Sequence, residues 1–431
     1  MLRLSFPAIR LILFCLAPLV CGSLALVYGM DGSWDLRNYH YYNGWALLHG
    51  HVGRDMLVSQ VPSFYNPLID VPFAWAAGIM SARLIAFLLG MLHGADFILL
   101  TLLGEELLAE QEPRRRFWLA ALLAAAGCAG AVALSEIGTV FYDNVTSLGL
   151  IGSLLLLARR WDRIVAGSRR EAFIAGLPIG LAFGLKQTMV PFLCGIGLAL
   201  LLTLPASWPK RIGATFWFGL GALAMTILAG GYWMAHLGNA YGNPLFPYFN
   251  EIFQSPWGQA GDYRDVYYQP KDLLHWLFFP VYFTFDSRVA AEVPFFDARV
   301  LALFVLIPAG ALLGAFRKPR NALLLATIAI AYVAWLKLFS IYRYLVVLEM
   351  LAPLAILLIS EALPPRRGRL IGLGIVLILC ASTRPANWIR FPFTDQAVEV
   401  SAPRINDPDN TLVVLAGHEP LSFLIPAFPE G

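Results

Sequence analysis

The residues best able to do chemistry lie in one short stretch, Asp31-Gly-Ser-Trp-Asp-Leu-Arg-Asn-Tyr-His-Tyr-Tyr42, which follows directly on the first long apolar run. Asp35 stands there among Trp34, Arg37, Tyr39, His40, Tyr41 and Tyr42. A carboxylate in that company, at the edge of a membrane, has the ingredients to bind a polar substrate and take a proton from it. Asp31, His51, Arg54, Asp55 and Gln60 crowd into the same loop, followed by Phe64-Tyr-Asn-Pro-Leu-Ile-Asp-Val-Pro72. Ser33 is placed to cap a helix from Trp34 to about Leu48, with Gly50 as its stop. Asp35 then falls in the first turn, where a carboxylate also complements the helix dipole without any catalytic role. On such a helix Asp35, Tyr39, Tyr42 and Ala46 share one face, and Trp34, Tyr41, Trp45 and Leu48 another.

The elements that must hold these side chains are apolar helices. Of the 431 residues 58% are hydrophobic and only 14% charged, against about 25% charged in a soluble domain. The mean hydropathy is +0.66. Apolar runs of roughly 17 to 25 residues recur, each long enough to cross a hydrocarbon layer about 30 Å thick. The pattern predicts an all-α polytopic membrane protein with about eleven transmembrane helices. The spans are read at 9–29, 82–108, 117–135, 144–158, 171–185, 188–204, 212–235, 299–316, 321–339, 345–362 and 369–383. Residues 171–204 are open to a second reading as one helix kinked at Lys186-Gln187. Residues 67–81 carry Asp70 and read as an interfacial or re-entrant helix.

Basic clusters set the orientation. They fall at Arg3/Arg10, Arg114–Arg116, Arg159–Arg170, Lys210-Arg211, Arg317–Arg320 and Arg366–Arg369, before the first run or between two runs. With all six in the cytoplasm, the amino terminus is inside and the carboxy terminus outside. The first run lacks a small-x-small cleavage pattern and reads as an uncleaved span. The large extracytoplasmic segments are then 30–81, with interfacial helices, 236–298, and a short tail, 384–431, after a membrane module at 1–383. Thr411-Leu-Val-Val-Leu-Ala416 reads as a strand of that tail. Cys15, Cys21, Cys128, Cys194 and Cys380 have neither disulfide nor metal spacing. A net charge of +3 is too small to indicate nucleic acid as a partner.

An acidic residue after the first span, a long aromatic first outer loop and about eleven spans together resemble the GT-C superfamily of membrane glycosyltransferases. Tyr39-His-Tyr41, Ala46-Leu-Leu-His-Gly50, Asn66-Pro-Leu-Ile-Asp-Val-Pro72, Gly184-Leu-Lys-Gln-Thr188, Asn243-Pro-Leu-Phe-Pro-Tyr-Phe-Asn250 and Tyr342-Arg-Tyr344 look like a bacterial branch of it. The resemblance implies transfer of a sugar from a polyprenyl-phosphate donor to an acceptor hydroxyl at the extracytoplasmic face of a bacterial inner membrane. It implies Asp35 as the catalytic base, with Asp31 its neighbour, and a second acidic residue in the next outer loop. Glu136 and Asp143 are the choices there, and Asp143, within Phe141-Tyr-Asp-Asn144, is preferred. The implied partners are membrane lipid, the lipid-linked sugar, and a glycan, lipid or protein acceptor.

A departing lipid phosphate gathers negative charge, which a cation at the outer interface would stabilise. Lys186 and Arg343 sit where that is feasible, Arg343 with two donors to offer a phosphate. Either side chain could equally snorkel to the interface. Arg37, Tyr39, His40, Tyr65, Asn66 and Asn243 complete the expected substrate-binding set. Some GT-C enzymes hold a divalent cation on such carboxylates, but no Asp-x-Asp pair occurs here, so a metal is left open and no organic cofactor is indicated. His93 and Asp96 read as a buried contact in the second span or a proton relay. Glu349 is ambiguous, and Glu105-Glu106 reads as solvated. A transporter or flippase is the competing class; it expects broken helices at matching places in two halves, and only one break, near Lys186, is legible.

Overall fold

Residues 5–56 and 58–429 are described by a computed structural model. Every expected apolar run folds as helix. The amino-terminal helix α1 (Phe6–Tyr28) starts at Ser5, whose hydroxyl accepts from the Ala8 N–H, and stops at Gly29, a residue in the positive-φ region. The first outer segment carries α2 (Tyr41–His49) and α3 (Val71–Ala77). Then come α4 (Ala82–Leu107), α5 (Pro113–Cys128), the short α6 (Ala131–Ser135), α7 (Asp143–Arg159) and α8 (Trp161–Ala166). The expected span 117–135 is thus α5 plus α6, broken at Ala129-Gly130.

The ambiguity at 171–204 resolves as two helices, α9 (Arg169–Leu185) and α10 (Val190–Thr203), joined by a single tight turn at Gln187–Met189. The long α11 (Trp208–Tyr241) runs six residues beyond the expected end at 235. Its 34 residues extend roughly 50 Å, well past a hydrocarbon layer. Short helices α12 (Asn250–Phe253), α13 (Leu273–Leu277) and α14 (Phe279–Phe285) follow in the second outer segment. The last four are α15 (Arg299–Leu313), α16 (Pro319–Leu338), α17 (Val346–Ser360) and α18 (Pro365–Ser382). Among the described residues five stretches are long and apolar enough to cross a membrane, namely α1, α4, α11, α16 and Tyr342–Ser360. The chain is therefore a mostly helical protein of membrane type.

Helix α17 is buried along its whole length and forms the centre of the bundle. Helices α9 and α11 pack backbone to backbone: a Cβ on Gly180 would stand 2.1 Å from the Ala222 carbonyl oxygen. That closeness fixes the end of α9, where Lys186 sits. At one end of the bundle the basic clusters of different loops meet acidic partners: Arg10 with Glu105 at 2.8 Å, Arg159 with Glu106 at 2.9 Å, Lys318 with Glu110 at 2.7 Å and Arg320 with Asp162 at 3.3 Å. The basic loops thus share one end, as the charge pattern requires. Glu105 is buried and paired rather than solvated, since α1 brings Arg10 against it.

The tail differs from expectation. Thr411–Ala416 forms no strand, because no neighbouring backbone lies alongside it and Leu412 and Val414 point outward. The two-stranded pairing among the described residues joins Met30–Asp31 to Arg390–Phe391, antiparallel, so the tail is stitched to the first outer segment. Arg390 also donates to the carbonyls of Ser135 and Ile137, and the Trp388 indole donates to Ser135 Oγ at 3.0 Å. The five cysteines are unpaired.

Candidate functional site

Four residues singled out from separate stretches of sequence converge at the end of the bundle opposite the basic loops. Arg343 Nη1 lies 3.0 Å from Asp35 Oδ2 and 3.5 Å from Asp143 Oδ2, and Nη2 lies 3.7 Å from Glu292. Lys186 Nζ lies 2.6 Å from Asp143 Oδ1 and donates to the Phe141 carbonyl at 2.7 Å. The guanidinium lies over the Phe141 ring, 4.3 Å from its centroid. Arg343 and Asp143 are buried, while Asp35 and Lys186 keep a little exposure and Glu292 faces outward.

Local sequence explains each placement. Tyr142 adopts a positive φ of 61°, which turns the chain sharply so that α7 begins at Asp143 with its carboxylate in the first turn. Lys186 leaves the helical region at the end of α9, in the break before α10. Arg343 sits in the tight turn Tyr342–Leu345 that leads into α17. Four residues beyond that turn, in α17, Glu349 accepts from the Val132 and Ala133 N–H groups, capping α6 from across the bundle. Asp297 accepts from Ala131 N, and the fully buried Arg299 pairs with Asp297. This ionic knot ties the turn carrying Arg343 to the segment leading to Glu136.

Asp35 is held by its own helix. Ser33 Oγ accepts from the Leu36 N–H at 3.4 Å, so Ser33 is the cap, and Gly50 ends α2 with a φ of 70°. Between them Leu36–His40 form a π turn, one residue wider than an α turn. Tyr39 still donates to Asp35, at 3.1 Å, but Tyr42 is carried round to Asp55 at 2.5 Å and does not share the Asp35 face. The same turn drives His40 inward, where Nδ1 lies 2.5 Å from Asp70 Oδ1 and both side chains are buried. Burial, with the charges of Lys186 and Arg343, pushes the imidazole well below its ordinary pKa, and burial pushes the Asp70 carboxyl well above its own against the pull of Lys186. Both shifts favour the uncharged form of the pair.

Other expected binding residues serve the scaffold. The Asn66 amide donates to the carbonyls of Gly184 and Ala229, and its oxygen accepts from Leu68 N and the Tyr232 hydroxyl, so its hydrogen-bonding capacity is used up internally. Asn243 is fully buried and closes its own turn, donating to Tyr248 O and accepting from Leu245 N. Arg37 turns toward the tail, its guanidinium 6.0 Å from the Phe391 ring. Tyr65 stays at the site, edge-on to Tyr39 at 5.6 Å. Sequence reasoning passed over Glu292, Phe141 and Tyr344, whose ring lies 5.5 Å from Lys186 Nζ. Glu136 is buried with neither carboxyl oxygen hydrogen-bonded. Burial, then the nearby Asp143, drives its pKa well above the ordinary range.

Among the described residues no set of three or more His, Cys, Asp or Glu side chains is placed to hold a metal ion. Asp35 and Asp143 are instead engaged by Arg343 and Lys186. Comparison with protein-family models finds no match, and no curated protein matches the chain.

Proposed function

We propose that the protein is a membrane glycosyltransferase of GT-C type, moving a sugar from a polyprenyl phosphate to an acceptor hydroxyl on the extracytoplasmic side. The observation that supports this reading is the convergence of Asp35, Asp143, Lys186 and Arg343 at the end away from the basic loops. With the basic loops in the cytoplasm, that end faces outward in a bacterial inner membrane. The eleven runs each cross once, leaving the amino terminus inside and the carboxy terminus outside.

In this reading the donor phosphate settles on Arg343 and Lys186, the two cations of the cluster. Competition for the guanidinium loosens its hold on Asp35, which becomes the general base. Asp35 then takes the acceptor hydroxyl proton as the oxygen attacks the anomeric carbon. The bond from that carbon to the phosphate oxygen breaks, and the lipid phosphate leaves with the electron pair, inverting the centre. Tyr39 orients Asp35, and Tyr65 lines the same wall. His40 backs the site without touching substrate. Arg343 and Lys186 supply the charge stabilisation, so no step is routed through a metal.

One observation favours transport instead: His93 and Asp96 are wholly buried in α4, 3.5 Å apart. Such a pair, beside helix breaks at Ala129-Gly130 and Gln187–Met189 that fall in no two related halves, is less than alternating access needs. The deciding experiment reconstitutes purified protein in vesicles with labelled polyprenyl-phosphate sugars and follows both sugar transfer and lipid flux. Transfer by the native chain that Asp35→Asn abolishes, with insertion and folding intact, is expected. Flux without transfer, or normal transfer by the variant, overturns the reading.

A further inference from the structure

A second feature lies apart from the charged cluster. Where α15, α16 and α17 meet, the packing leaves an apolar cavity of about 220 Å³. Its floor is Leu303, Ile328 and Leu348, all buried, and its mouth is lined by Leu277, Pro308 and Val333, all exposed on the outer face of the bundle. Trp276 of α13 covers the upper end. The lining reaches from Val300 to Pro308 along α15 and from Ile328 to Leu336 along α16. At 1.5 Å per residue this is roughly 12 Å deep, close to half of a hydrocarbon layer about 30 Å thick. The groove therefore matches one chain in one leaflet.

Charge at the rim points to the kind of lipid. Lys337 follows Val333 by one helical turn on the same face of α16 and is exposed, beside the Arg264–Asp262 pair, whose Arg264 donates to the Lys337 carbonyl at 3.0 Å. Lys271 is exposed just before α13. A phosphate at the level of Lys337 would sit directly above the mouth. The donor's phosphate would not: a stack of rings, Tyr332 on Trp335, Trp335 on Phe279 and Phe283, and Phe283 on Tyr342, separates the groove from Arg343.

We propose that this groove is a binding site for an anionic phospholipid, one acyl chain lying between α15 and α16 and the phosphate held at Lys337. The site does not depend on the transfer reaction. Its occupant would brace α16, the helix that leads into the turn carrying Arg343.

The test uses the full chain in detergent, washed free of lipid, then given phosphatidylglycerol, phosphatidylcholine or undecaprenyl phosphate and examined by native mass spectrometry. One phosphatidylglycerol per protein is expected to remain bound, several-fold above phosphatidylcholine. Ala329→Trp, which fills the groove, should cut retention at least tenfold. Lys337→Ala, on the surface and outside the packing, should remove the preference over phosphatidylcholine while leaving the thermal midpoint unchanged. Equal retention by Ala329→Trp overturns the proposal. So does stoichiometric displacement by undecaprenyl phosphate that Ala329→Trp abolishes, which would assign the groove to the donor's tail.

Discussion

Arg343 Nη1 lies 3.0 Å from Asp35 Oδ2, although the two residues stand in the first and last thirds of the chain. The same guanidinium contacts Asp143 and Glu292, so one buried cation balances carboxylates from three separate segments. It is permanently cationic.

Removing that cation leaves carboxylates without their counter-charge in a buried site. Arg343→Ala should lower stability by about 3–5 kcal/mol, seen as a fall in the thermal midpoint in detergent. The loss should shrink when Asp143→Asn is present as well, because one of the stranded charges is then gone. A loss of the same size in both backgrounds would mean that Arg343 acts through packing on Phe141 alone.

Lys186 and Asp143 are the closest oppositely charged pair in the site, at 2.6 Å. Their single replacements, Lys186→Met and Asp143→Asn, should therefore be non-additive, with a coupling of about 0.5–3 kcal/mol in a double-mutant cycle. Additive effects would show that the ammonium is held chiefly by the Phe141 carbonyl.

Glu136 gives a pH signature. Its folded pKa is raised, by burial first and by Asp143 next, so above the ordinary carboxyl range the folded chain keeps a proton that the unfolded chain has lost. That contribution is complete below the unfolded pKa and is lost as pH rises through the folded one. Glu136→Gln removes the titration. The variant should hold its thermal midpoint between pH 6 and pH 9 better than the native chain, a comparison made by scanning unfolding at several pH values. A parallel decline in both proteins would place the titrating group elsewhere.

Asn66 should matter for stability and not for substrate affinity. Asn66→Ala strands the Gly184 and Ala229 carbonyls and the Tyr232 hydroxyl, a loss of roughly 1–3 kcal/mol. In a transfer assay the apparent KM for the lipid-linked sugar should stay within twofold of native. A large rise in KM with normal stability would return Asn66 to the binding set.

Much of the helical layout is legible in the sequence because a hydrocarbon layer demands long apolar runs and penalises charge within them. The same penalty makes Asp35, Asp143, Lys186 and Arg343 conspicuous one at a time. Their pairing is not legible, since it depends on how α7, α9 and α17 pack. The π turn at Leu36–His40 is hidden as well: a 3.6-residue period assigns Tyr42 to the Asp35 face, and one extra residue in the turn moves it to Asp55. The partners of Asn66 and Asn243 are hidden for a different reason. An amide that closes a turn and an amide that grips a hydroxyl look alike until their partners are seen. Thr411–Ala416 has strand-forming residues but no neighbour to pair with, whereas Arg390–Phe391, with little strand signal, finds Met30–Asp31.

That last pairing bears on biogenesis. Arg390 and Phe391 are synthesised long after Asp31. Until then the backbone leading from α1 to Asp35 lacks its partner, and the Ser135 and Ile137 carbonyls lack the Arg390 donors. The chain therefore carries its own order of assembly, in which the segment bearing Asp35 is locked only after the carboxy-terminal region has been made.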